Sequence, residues 1–98
     1  MNYRLHRAAL AEHLAEVAFY ESRLAGLGKD YLADFEATMA RVCAAPMAFP
    51  VVDAAGLRKV ALLRFPFHVI FRVDSAHVLV LAIAHQRRRP AYWSARVK

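Results

Sequence analysis

Leu57-Arg58-Lys59-Val60-Ala61-Leu62-Leu63-Arg64-Phe65-Pro66-Phe67-His68-Val69-Ile70-Phe71-Arg72-Val73-Asp74-Ser75-Ala76-His77-Val78-Leu79-Val80-Leu81-Ala82-Ile83-Ala84-His85 carries a period of two, and that period decides the fold. Successive side chains of an extended chain point to opposite faces, so alternation marks strands. Arg58, Val60, Leu62 and Arg64 alternate with Leu57, Lys59, Ala61 and Leu63. Pro66 bends or interrupts the run, because proline donates no ladder hydrogen bond. Phe67, Val69, Phe71 and Val73 then share one face, and His68, Ile70 and Arg72 the other. Asp74-Ser75-Ala76 has the composition of a hairpin turn. Val78 to His85 is apolar on both faces, as expected of a central strand.

Upstream the period changes to that of helices. Leu32, Phe35, Met39 and Val42 are spaced by threes and fours, with Asp34, Glu36 and Arg41 elsewhere on the circumference. That helix ends before Pro46, since the residue preceding a proline is pushed out of helical dihedrals. Pro46 to Gly56 reads as a loop. From Ala8 an earlier helix shows a stripe of Leu10, Leu14, Val17 and Leu24, with no Ser, Asp or Asn to cap its start. Gly26 supplies the left-handed residue that ends this first helix, and Gly28 opens the second. Met1 to His6 reads as a short strand. The predicted fold is α+β: an N-terminal strand, an antiparallel helical hairpin packed on one face of a mostly antiparallel sheet, and a short basic C-terminal tail. Phe35, Met39, Leu62, Val69 and Leu81 are expected to share one core.

At 98 residues the chain is expected to form a single domain over residues 1–98. A domain of this size buries only ~60–65% of the surface its unfolded chain exposes, so a partner that binds the folded form raises its stability appreciably. The longest wholly apolar run, Val78 to Ala84, is far short of the ~20 residues of a spanning helix. Arg4 and Arg7 are followed by no apolar h-region of a secretory signal. Cys43 is the sole cysteine, which excludes an internal disulfide and fits a reducing cytoplasm. It extends the apolar stripe of the second helix and reads as a core filler.

The net charge of +6 is unevenly placed. Residues 8–53 hold seven acids and three bases, a balance of −4; residues 54–98 hold nine bases and one acid, a balance of +8. The second half therefore attracts an anion, either nucleic acid or an acidic protein. Three isolated glycines build no phosphate loop, no histidine pair has helix-face metal spacing beside a carboxylate, and neither a cofactor nor a metal is expected. Glu12 and Glu16 share a helix face but read as a solvated surface. What remains is a constellation of bases, histidines and aromatics. His85, Arg87, Arg88, Arg89, Tyr92 and Trp93 sit where the last strand runs out; Arg58, Lys59, Arg64, His68 and Arg72 lie on neighbouring strands. Guanidinium forks match phosphate oxygens and aromatic faces stack on bases.

The segment Arg64 to Phe71, the apolar strand after it, and the ending His85-Gln86-Arg87-Arg88-Arg89-Pro90-Ala91-Tyr92-Trp93 together resemble the RelE/ParE family of bacterial toxins. Ala18-Phe19-Tyr20-Glu21, Gly26-Leu27-Gly28 and the helix up to Pro46 extend the likeness over nearly the whole chain. The resemblance implies the growth-arresting toxin of a type II toxin–antitoxin pair, neutralised in a hetero-oligomer by a cognate antitoxin encoded beside it. RelE-like members cut messenger RNA on the ribosome without a metal. Their catalytic set, carried over residue by residue, falls on Lys59, His68, His85, Arg87 and Tyr92 (or Trp93). Ala61 stands where that branch has a second strand lysine, and His68 where it has an arginine. ParE-like members inhibit DNA gyrase without catalysis, and the ending of this chain is closer to theirs. On that reading Arg87, Arg88, Arg89, Tyr92 and Trp93 bind the target. A ParE-like gyrase inhibitor is the favoured expectation and a ribosome-dependent endoribonuclease the alternative. A plain nucleic-acid-binding module comes third, because it leaves the acidic helical hairpin without a role.

Overall fold

The computed structural model describes residues 1–97; Lys98, one of the bases counted above, lies outside them. The order is β1 (Asn2–Leu5), α1 (Arg7–Arg23), α2 (Leu27–Ala44), a 3-10 turn (Pro46–Ala48), β2 (Arg58–Ala61), β3 (Phe67–Val73), β4 (His77–His85) and a second 3-10 turn (Ser94–Val97). The sheet order is β1-β4-β3-β2. β2–β3 and β3–β4 pair antiparallel, and β1 pairs parallel with β4. This is the α+β arrangement expected, with β4 central and covered on both faces.

The helical hairpin closes through residues that the apolar pattern does not single out. The His6 imidazole accepts from the Ala8 amide at 3.0 Å and caps α1, so the missing Ser or Asp is replaced by a histidine. α1 ends at Arg23, and Gly26, at φ +89°, opens α2 instead of closing α1. The Glu21 carboxylate accepts from the amides of Gly26 and Gly28, satisfying free donors at the start of α2. Gly28 lies within the first turn, where a Cβ would stand 2.7 Å from the Val17 carbonyl; the helices cross there too closely for any side chain.

The buried stripe of α1 is not the leucine stripe. Leu10, Leu14 and Leu24 are 43%, 58% and 64% exposed, while Ala9 and His13 are buried. The His13 ring lies 4.3 Å from that of Phe35, and its Nδ1 is 3.1 Å from the Tyr31 hydroxyl. On α2, Asp34 is likewise buried. Its carboxylate accepts from the amides of Leu63, Arg64 and Phe65 at 2.8 to 3.0 Å, which ties off the connection around Pro66. These bonds replace the hydration that burial removes. β2 accordingly stops at Ala61 and β3 begins at Phe67.

The main core lies between the helices and the sheet, and includes Tyr31, Phe35, Met39, Val42, Val60, Leu62, Phe67, Val69, Phe71, Val80 and Ile83. Cys43 is half-buried against it. Leu81 does not join this core. Between Ile70 and Phe71 the pairing with β4 skips one residue, so that Ile70 faces Ala82 and Phe71 faces Val80. Leu81 is the extra residue, and it turns to the other face with Leu57, Ile70 and Ala82. There Tyr92, Trp93 and Val97 of the tail pack over it.

Burial pushes the His13 imidazole below its ordinary value, outweighing the opposing charge of Glu36. The folded chain therefore takes up this proton less readily than the unfolded one. The resulting stability is complete above the unfolded value of ~6.5 and is lost as pH falls below it. Urea midpoints measured between pH 7.5 and pH 5 are expected to decline, with a shallower decline in His13→Phe. Identical slopes in the two proteins would contradict the assignment.

Candidate functional site

β1 is shorter than the strand it pairs with. The ladder closes where the His6 amide donates to the Val80 carbonyl at 2.7 Å, yet β4 runs on to His85. The edge of β4 beyond Leu81 thus has backbone groups with no neighbouring strand. Glu12 reaches this edge from α1. Its Oε1 accepts from the Ile83 amide at 3.1 Å and from Arg96 Nη1 at 2.8 Å. Its Oε2 accepts from the Tyr92 hydroxyl at 2.7 Å and from Arg96 Nη2 at 3.2 Å. Arg96 also donates to the Leu81 carbonyl at 3.0 Å. A side-chain cluster completes the edge where a strand would otherwise lie. The expectation that Glu12 and Glu16 form a solvated surface is overturned: the Glu12 side chain is only 14% exposed. Glu16 is half-buried, which pushes its carboxyl up even though His85 nearby opposes the shift.

This cluster fixes the tail. Two guanidiniums approach the Tyr92 ring, that of Arg88 at 3.9 Å from its centre and that of Arg96 at 5.1 Å. Ala91 adopts a left-handed φ of 62°, and its carbonyl accepts from the Ser94 hydroxyl at 2.6 Å. Arg72 donates to Asp74 and to the Val97 carbonyl, closing the far end. Tyr92 and Trp93 therefore fold back over the sheet. They do not project beyond the core, as the position of the tail in the sequence suggested; the exposed cations of this segment are Arg87, Arg88 and Arg89.

The tail roofs a cavity of about 120 Å³ on the helix-free face of the sheet, lined by Lys59, His68, His85, Arg88 and Trp93 among others. The register accounts for the grouping: Lys59 lies opposite Ile70 on β3, and His68 opposite Ala84 on β4. His68 is held below its ordinary imidazole value by burial and, secondly, by the charge of Lys59. The His85 ring belongs to the other face. It packs edge-on against Phe67 of the main core at 5.2 Å, and its Nδ1 accepts from the Arg87 amide. The Tyr92 hydroxyl is committed to Glu12, and burial with that bond raises it well above the ordinary phenol value. Arg87 and Arg89 stand outside the cavity. Arg58 lies on the helix side and donates to the carbonyls of Phe49 and Met47.

The structure thus assembles Lys59, His68, Arg88 and Trp93; His85 borders the same cavity with its ring packed on Phe67, and Arg87, Arg89 and the Tyr92 hydroxyl stand apart. Glu12 and Arg96 were missed in the sequence. The only signal for Glu12 was its spacing from Glu16, and its partners lie 71 to 84 residues away along the chain. Among the described residues no group of three or more His, Cys, Asp or Glu side chains is placed to hold a metal ion. No described helix is long and apolar enough to cross a membrane.

The structure is similar to a solved chain described as the chromosomal ParDE TA system from P. aeruginosa, with a TM-score of 0.73 and 23% identity, covering 87% of this chain and 95% of that one. Residues 3–90 match the family described as ParE toxin of type II toxin-antitoxin system, parDE, and the chain belongs to that family. A comparison with curated proteins found no match.

Replacing Glu12 with alanine leaves the Ile83 amide without its acceptor and Arg96 without its carboxylate partner. The expected loss is about 2–3 kcal/mol, the scale of a charge-assisted bond plus an unsatisfied donor. Amide exchange should quicken at Ile83 and across Ser94 to Val97, with the Phe35 and Val69 amides shifted only by the global change. Unaltered protection of the tail would show that the cluster does not hold it.

Proposed function

We propose that this ParE-family toxin arrests growth by binding and inhibiting DNA gyrase, and that a cognate antitoxin neutralises it in a hetero-oligomer. The observation that carries the target reading is the basic turn at the end of β4, where Arg87, Arg88 and Arg89 are exposed beside a tail that is pinned at both ends. Cations on a turn whose neighbouring tail is pinned suit a binding anchor, because little backbone freedom is lost on docking. The groups a nuclease would use as acid and base are spread out. The Tyr92 hydroxyl is bound to Glu12, and the His85 ring lies across the sheet from His68. That separation favours binding over proton transfer, which needs groups within hydrogen-bond reach of one scissile bond. Ribosome-dependent cleavage of messenger RNA remains the second reading, favoured by the meeting of Lys59, His68 and Arg88 in one cavity.

Two features support an antitoxin landing site. α1 presents Leu10 and Leu14, one turn apart, to solvent, an apolar strip suited to a partner helix. The outer edge of β1 borders a depression of about 730 Å³ lined by Met1, Tyr3, Arg4, Glu36, Met39 and Cys43 among others, where an added strand would find free backbone groups. A disordered segment that folds on contact would suit either.

Calorimetric titration with the product of the neighbouring reading frame should give a stoichiometric complex. Leu14→Asp should weaken it about tenfold or more, since a charge is then buried against the partner. No heat and no co-elution with wild type would defeat the pairing.

For the target, purified gyrase should lose supercoiling activity in the presence of the toxin, while messenger RNA on ribosomes stays intact. The paired substitution Arg87→Glu and Arg89→Glu should abolish inhibition and leave the fold unchanged, because both side chains are exposed. Truncating Trp93 should also abolish it, though that change loosens the tail as well. The opposite pattern, intact supercoiling with cleaved messenger RNA, would replace gyrase by the ribosome.

A further inference from the structure

The tip of the helical hairpin and the connection around Pro66 meet at one end of the molecule. Asp34 of α2 holds the amides of Leu63, Arg64 and Phe65, and the Tyr20 ring of α1 lies 4.7 Å from that of Phe65. The end of β4 joins them, since Phe67 pairs with His85 and the Gln86 amide donates to the Pro66 carbonyl at 2.9 Å. An unbroken series of cations and rings results. The Arg23 guanidinium is 5.6 Å from the centre of the Phe19 ring, and Phe19 packs edge-on against Tyr20 at 5.2 Å. Tyr20 reaches Phe65, and the Arg64 guanidinium is 5.6 Å from the centre of that ring. Phe19, Leu24 and Leu63 at this end are each at least half exposed, and Leu63, at 70%, is the most exposed large apolar side chain among the described residues. Large apolar groups left together in water mark an interaction surface.

We propose that this end, bearing Phe19, Leu24 and Leu63 among Arg23, Arg64 and Arg87, is a docking surface for an acidic face of the toxin's target protein. The proposal rests on the reading that the toxin acts by binding a protein, and it adds the hairpin tip and the Pro66 connection to the β4 turn. Arg23, Arg64 and Arg87 form no ion pair among the described residues. The nearby acids are engaged, Glu21 with the amides of Gly26 and Gly28 and Asp34 with those of Leu63 to Phe65. Asp30, in the first turn of α2, is offset by its neighbour Lys29. The positive charge is thus left for a partner, and its sign selects an acidic one. Arg23 and Arg64 each lie over a ring, which orients the guanidinium before docking and leaves its N–H fork for a carboxylate. Nucleic acid suits the surface less well. Its phosphates would meet the arginines and leave two leucines unmatched, whereas the centre of a protein interface is apolar and enriched in aromatic residues and arginine.

The whole chain is tested in two assays, because the surface and the identity of the target can fail separately. In cells, the pair Arg23→Glu and Arg64→Glu should abolish growth arrest, and the pair Leu24→Ser and Leu63→Ser should weaken it. Against purified gyrase each pair should raise the concentration giving half-inhibition about tenfold or more, as loss of interface anchors does. Arg41→Glu, which reverses an arginine lying over Phe49 near the far end of α2, should leave both assays unchanged. The substituted side chains are exposed, so urea midpoints should stay close to wild type. Should the first pair lower its midpoint, Arg23→Gln with Arg64→Gln repeats the test without reversing charge. Wild-type potency of both pairs in both assays would overturn the proposal. Loss of binding to a duplex oligonucleotide, with binding to gyrase intact, would overturn it too by assigning the surface to nucleic acid. Growth arrest that spares gyrase and is lost in the arginine pair would remove the gyrase reading and leave this surface standing on another protein. Equal gyrase inhibition by wild type and both pairs would keep the gyrase reading and sink this one.

Discussion

Glu12 is the residue through which the helices, the sheet and the tail communicate. Strand β4 outlasts its parallel partner β1, and a strand with bare backbone groups in a half-dry setting either attracts another chain or must be covered. A carboxylate is well suited to the cover, because it offers two acceptor oxygens to an amide, a phenol and a guanidinium at once. Taking that charge out of water costs several kcal/mol, and the pairing with Arg96 together with the short bonds offsets the cost. The partners arrive from opposite ends of the chain, Glu12 from the first helix and Tyr92 and Arg96 from the tail. The tail's path follows from this one contact.

That path explains why β4 is apolar on both faces. The helices cover one side with an aromatic core, in which Tyr20, Tyr31, Phe65 and Phe67 meet edge to face or stacked. The tail covers the other with Tyr92, Trp93 and Val97. The bulge at Leu81 assigns one extra apolar side chain to the tail's side, enlarging a core that would otherwise be too small to hold a short segment of 3-10 turn. The functional consequence is a division of surfaces. The acidic hairpin, with its exposed leucines, faces one way; the basic turn and its cavity face the other. A partner on α1 and a target on the tail would thus bind different sides, connected through Glu12.

The same geometry sorts the cations. Arg58, Arg72 and Arg96 carry structural duties, bound to carbonyls or carboxylates. Lys59, Arg87 and Arg89 form no ion pair among the described residues. A formal charge of +6 therefore overstates the field available for recognition, and where the uncompensated charge lies matters more than its sum.

The sequence by itself determined the order of elements, the helical hairpin, the strand break at Pro66, the apolar nature of β4 and the toxin family. These depend on local periodicity, on proline geometry and on a string of residue types that resembles the family's, all of which are legible along the chain. The tertiary structure alone decided which face of α1 is buried, that Asp34 and Glu12 are interior acids, that the His85 ring turns from His68, and that Arg88 instead of Arg87 meets Lys59. The physical reason is that a periodicity ranks residues by apolarity, placing leucine inside and histidine, aspartate and glutamate outside. A polar group is buried when donors or acceptors are waiting for it, and here those donors lie 18 to 84 residues away and exist only once the chain has folded.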